Sequence, residues 1–327
     1  MSGLIGGGRL AKNPHMPGTA PQIIRPFRWN VARRNELGSL VSGPLPRTYP
    51  GFTDGLRRCT ALALARSGGG TLVFVGRSLE LCFDYLSGLT AGLDTRSAPP
   101  LKLLQVSLGS VRDIAREAQA MPAETASLLG YMRSEGLGAA DIEANERGVT
   151  FIDVVSSGAT FGVLTRLLHL GARTDAVDWH AVERRIGFVG VVEAGKNSPN
   201  AWRWWQHEPW VATLKKPRIS NVSVHGWLWG FLANNDIKTT LSHGPWRWAD
   251  PRAAEPVHAP ANVDALRLAV ALYDLGSSRE ERQRFADALA RLPEMREAWL
   301  RRLVVALRRS GGEDGRDPNR RCHVDIW

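Results

Sequence analysis

The sequence predicts an α/β domain: a mostly parallel sheet with flanking helices, a Trp-rich segment, and a C-terminal helical region. Three observations lead there. Four short apolar runs recur between residues 71 and 192, each bounded by Gly or polar residues. Segments with apolar residues at helical spacing lie between them. The runs are continuous rather than alternating, as befits strands covered on both faces.

Residues 1–55 are rich in Gly, Pro and Arg without sustained period, which predicts an extended arm with a few short elements. Leu56 to Arg66 reads as a short helix, ended by Gly68-Gly69-Gly70. Thr71 to Val75 is the first strand and Gly76-Arg77-Ser78 its turn, with Ser78 as expected cap. Leu79, Cys82, Phe83, Leu86 and Leu89 then mark one face of a helix, with Glu80 and Asp84 expected on the opposite face. Leu101 to Leu108 is the second strand, and residues 111–135 are helical, split at Pro122. Val149 to Val155 is the third strand, followed by a helix carrying Phe161, Leu164, Leu167 and Leu168. Ile186 to Val192 is the fourth.

The expected organisation is an arm (1–55), an α/β core (56–200), a Trp-rich cap or hood (201–260), C-terminal helices (261–309) and a polar tail (310–327). Eight of the 12 tryptophans fall between Trp202 and Trp248, interleaved with Arg203, Lys215, Lys216, Arg218, Lys238 and Arg247. Most are expected to be core, because a buried indole satisfies one polar tip.

Composition excludes some classes. Charged residues at 23% and hydrophobic residues at 43% of 327 exclude full disorder. No apolar run reads as a membrane span, and no signal peptide opens the chain. The three cysteines, Cys59, Cys82 and Cys322, have neither metal-ligand nor disulfide-framework spacing, so a cytoplasmic protein with reduced thiols is expected. The eight histidines show no ligand spacing, and no direct protein metal site is expected. A net charge of +10, from 36 Arg and 6 Lys against 32 acids, favours an anionic ligand without naming it.

The segment 151–160 carries the chemistry. A buried strand delivers Asp153 near its carboxyl end. Ser156, Ser157, Gly158, Ala159 and Thr160 then turn into a helix. Small residues let backbone N–H groups approach an anion, and a helix start adds positive potential. That is a monophosphate cradle beside a carboxyl group suited to vicinal hydroxyls. A phosphorylated ribose satisfies both.

This segment resembles the donor-binding motif of the type I phosphoribosyltransferases: an apolar strand, two acidic residues, two apolar residues, then a Thr/Ser-Gly-x-Thr loop opening a helix. Asp153 matches the second acidic position, and Ser156 to Thr160 match the loop that grips the 5-phosphate in the family. Gly76, Arg77 and Ser78 occupy the place of the family's pyrophosphate loop. Ile152 stands at the first acidic position, and the pyrophosphate loop lacks its Gly-rich middle. The resemblance implies a Rossmann-like phosphoribosyltransferase fold and transfer of 5-phosphoribose from phosphoribosyl pyrophosphate to a small acceptor, releasing pyrophosphate. Magnesium is implied through the donor, with Asp153 as catalytic residue and a homodimer as one assembly. Two alternatives stand beside it. One is a non-catalytic protein of the same fold that senses a phosphorylated ligand. The other is a basic nucleic-acid binder using the Trp-Arg interleaving; no membrane partner is expected.

Overall fold

The computed structural model describes residues 23–196, 203–215, 217–234 and 237–310. Five parallel strands form one sheet: β1 (Thr71–Val75), β2 (Leu101–Leu104), β3 (Val149–Val154), β4 (Ile186–Glu193) and β5 (Arg218–Val224). Their order is β2-β1-β3-β4-β5. Every β1 residue is buried, as continuous apolar character requires.

Helices cover both faces. On one face lie α2 (Phe52–Arg66), α3 (Glu80–Thr90), α9 (Gly226–Ala233), α10 (Pro260–Ser277), α11 (Arg279–Ala290) and α12 (Ala298–Ser310), around Leu72, Phe74, Ile152, Val189 and Val222. On the other lie α4 (Ile114–Ala120), α5 (Pro122–Ser134), α6 (Ala139–Ala144), α7 (Ala159–Thr174) and α8 (Trp179–Arg185), around Val73, Val75, Phe151 and Phe188. A four-residue helix, α1 (Arg34–Leu37), lies in the arm. The crossover from β1 uses the first face and those from β2 and β3 use the second, so the sheet is doubly wound.

The predicted strands match the observed ones closely, with differences at their ends. The second leaves the ladder after Leu104, where the Gln105 N–H donates to the Tyr131 hydroxyl at 3.1 Å. Helix α2 starts at Phe52 rather than Leu56. Ser78 is not a cap: Leu79 holds that position and no side chain caps α3. Glu80 and Asp84, expected on the face opposite the apolar residues, are 1% and 0% exposed, because α10 and the N-terminal arm pack against α3 there.

The boundary expected at residue 200 falls inside the sheet, since the Trp-rich segment supplies β5 and α9. Trp204, Trp210 and Trp248 are buried, while Trp227 and Trp246 are exposed. Trp202, Lys216, Cys322, residues 1–22 of the arm and residues 311–327 of the polar tail lie outside the described residues. Helices α3 and α10 touch backbone to backbone: a methyl group on Gly88 would overlap the Tyr273 carbonyl, and one on Gly276 the Tyr85 carbonyl. Among the described residues no helix is long and apolar enough to cross a membrane.

Candidate functional site

Connections run one way from β1 and the other way from β3, so the direction of winding reverses between these adjacent strands. In doubly wound sheets such a reversal opens a crevice at the carboxyl ends of the strands. The register pairs Phe74 with Ile152, which sets Val75 beside Asp153. The turns after β1 and β3 therefore leave the sheet side by side, about 5 Å apart at their bases. Sequence reasoning placed the pyrophosphate and phosphoribose loops at these two turns.

Both turns pivot on left-handed glycines, Gly76 at φ 69° and Gly158 at φ 99°. Gly158 sits at the start of α7, and a methyl group there would overlap the Trp204 ring. Ser157 Oγ accepts the Ala159 N–H at 3.3 Å. Ser156, Ser157 and Ala159 are exposed and Thr160 is half-buried, so the turn faces outward. Trp204 lies beneath it and donates from Nε1 to Asn221 Oδ1 at 2.8 Å. A methyl group on Gly190, the register partner of Asp153, would come within 2.8 Å of that same indole nitrogen.

Asp153 is 6% exposed and accepts the Val154 N–H at 2.7 Å. Burial pushes its carboxyl up to about 8, against the pull of that N–H and of the Lys238 ammonium. Ile152, at the position where the resembled motif carries its first acid, is 1% exposed and packs into the α2/α3 face.

Arg77 and Ser78 are half-buried. Arg77 donates from Nη1 to the Thr240 carbonyl at 3.3 Å, and burial lowers its guanidinium against the opposing effect of Glu80. Sequence reasoning missed the segment that Arg77 touches. Residues 237–243 cross to the β1 turn, and Glu80 holds them: its carboxyl accepts the Thr239 N–H and Thr239 hydroxyl, both at 2.8 Å, and the Thr240 hydroxyl. Asn262 Nδ2 donates to the Lys238 carbonyl at 2.7 Å. Lys238 is 4% exposed, and burial lowers its ammonium to about 8 despite the pull of Glu80. Aperiodic polar residues such as Lys238-Thr239-Thr240 give no local signal of these distant partners.

Two clefts of about 210 and 220 Å³ lie elsewhere. One separates α5 from α7, and the other lies by Gln105, Tyr131 and Trp248; neither is lined by Asp153 or residues 156–160. Among the described residues no three His, Cys, Asp or Glu side chains gather as a metal site. Compared with known protein families, curated proteins and solved structures, the chain gives no significant match.

Proposed function

We propose that the chain is a phosphoribosyltransferase, moving 5-phosphoribose from phosphoribosyl pyrophosphate to a small acceptor at the β1/β3 carboxyl edge. The observation that carries this is the adjacency of two glycine-pivoted turns, with Asp153 at the base of one and Arg77 on the other. The exposed turn 156–160 would take the 5-phosphate, using Ser156, Ser157 and Thr160 hydroxyls and the first N–H groups of α7. The Gly76-Arg77-Ser78 turn would take the pyrophosphate, with the Arg77 charge offsetting that of the leaving group.

Asp153 would hold the ribose hydroxyls from below. Its protonated form can donate one hydrogen bond and accept another. On ionising it would offset positive charge building on the ring as the bond from C1 to pyrophosphate breaks and the acceptor's lone pair forms the new bond. Magnesium, which prefers phosphate oxygens and water, would be held largely by the donor, with Asp153 the nearby carboxyl. That ion supplies charge neutralisation on the pyrophosphate.

A non-catalytic binder of the same donor is the second reading. It is favoured by Ile152, which gives the ribose no second acid and is committed to the core. Titration calorimetry with phosphoribosyl pyrophosphate and magnesium, on wild type and Asp153→Asn, tests the shared site. Micromolar binding weakened at least tenfold by the substitution is expected; absence of binding by the wild type rules out both readings. Release of pyrophosphate with an acceptor panel separates the enzyme from the binder.

A further inference from the structure

Resting on that reading, we infer that Lys238 is a second cationic ligand of the leaving pyrophosphate, delivered to the β1 turn by a strap that Glu80 positions. Three separate side chains fix the strap's backbone. Glu80 accepts from Thr239 and Thr240, Arg77 donates to the Thr240 carbonyl, and Asn262 donates to the Lys238 and Thr240 carbonyls. Arg77 lies in the turn that leaves β1 and Glu80 opens α3 directly after it, so the strap is built against the proposed pyrophosphate turn.

The lysine is held in an unusual setting. Its Nζ makes a single hydrogen bond among the described residues, to the Leu232 carbonyl at 2.5 Å, although an ammonium carries three donors. The strap that carries it is bonded to Arg77 and to Glu80, and its ammonium feels the charges of both and of Asp153. Lys238 is 4% exposed and Arg77 half-buried, so the cations on the strap and on the turn repel one another through partly dehydrated surroundings. The Glu80 oxygens are taken by the strap's N–H and hydroxyls, and Lys238 Nζ bonds to a carbonyl in the last turn of α9. A multiply charged anion seated on the β1 turn would draw on both cations and relieve their repulsion. Lys238 then binds the leaving group while Glu80 acts as a positioning residue.

The test uses the full chain with two probes, magnesium pyrophosphate and ribose 5-phosphate. Lys238→Met is expected to weaken pyrophosphate at least tenfold and ribose 5-phosphate less than twofold, and Lys238→Arg to recover pyrophosphate binding to within threefold. Equal effects on both probes, or none, would overturn the assignment. Should Lys238→Met fail to fold, ¹⁵N-lysine labelling of the wild type decides. The Lys238 amide, assigned with Lys238→Arg, should shift with pyrophosphate and not with ribose 5-phosphate; an unmoved signal refutes the role. Wild type that binds pyrophosphate but not ribose 5-phosphate would sink phosphoribosyl transfer and leave the Lys238 site standing. The reverse pattern would sink Lys238 alone.

Discussion

Arg28 and Asp84 are joined across 56 residues of sequence: Arg28 Nη2 donates to both carboxyl oxygens, at 2.6 and 2.5 Å, and the Asp84 side chain is wholly buried. This pair fastens the N-terminal arm to α3. Removing one partner of a buried pair strands the other, at a cost of about 3–5 kcal/mol. Arg28→Met should therefore lower the free energy of unfolding by about that much. Arg28→Met with Asp84→Asn should recover part of it. Urea unfolding of the three proteins checks this; a single variant as stable as wild type would mean the arm is not fastened here.

Stability should fall between about pH 4 and pH 8. Asp153 titrates at about 8 in the folded protein and near 3.9 in an unfolded chain. The folded state holds that proton more tightly, so this contribution is complete below about pH 4 and is lost as the pH rises to about 8. Asp84, raised by burial to about 6, steepens the early part of the fall. Lys238 runs the other way: lowered to about 8 from an unfolded value near 10.4, it regains stability as the pH rises between the two. Each group adds a slope of up to about 1.4 kcal/mol per pH unit. Asp153→Asn should flatten the decline between pH 6 and 8, and Lys238→Met should make the slope above 8 more negative than in the wild type. Denaturant melts across pH 5–10 give the answer, and a flat wild-type profile would contradict both assignments.

Donor binding at neutral pH should release a proton. Asp153 is mostly protonated there, and magnesium on the bound donor would favour its ionised form. The calorimetric heat at pH 7 should then vary with the ionisation enthalpy of the buffer, and the dependence should weaken in Asp153→Asn. Identical heats in phosphate and Tris would show that Asp153 keeps its proton.

The turn after β3 tolerates no side chain at Gly158. Alanine there meets a positive φ and the Trp204 ring together, with an expected loss of about 3 kcal/mol. Trp204→Phe should cost about 1–2 kcal/mol by removing the donor to Asn221 Oδ1. A Gly158→Ala protein melting within 2 °C of wild type would show that the turn relaxes freely.

Most of the sheet was legible in the sequence because strands buried on both faces are apolar without interruption. Thr71–Val75 was read to the residue, and β3 and β4 to within one. The fifth strand, Arg218–Val224, escaped because it mixes Ser220, Asn221 and Ser223 with its apolar residues. Asp153 and the 156–160 turn were visible because strand, turn and helix are contiguous in sequence. Glu80 was placed on the polar face of its helix but its burial was not foreseen, since its partners Thr239 and Thr240 lie 159 and 160 residues away. Helical periodicity reports which face is polar; it cannot report that a distant strap will cover that face.

The bare backbone contact between α3 and α10 bears on the order in which the chain is assembled. Helix α3 carries Glu80 and follows the β1 turn, yet its packing partner begins only at Pro260. A nascent chain halted before that proline has its sheet and its phosphate turn, but the Gly88 face lies open and the Lys238 strap lacks its Asn262 tether. The two halves of the crevice thus mature at different times during synthesis, the β3 side first and the β1 side only once α10 has emerged.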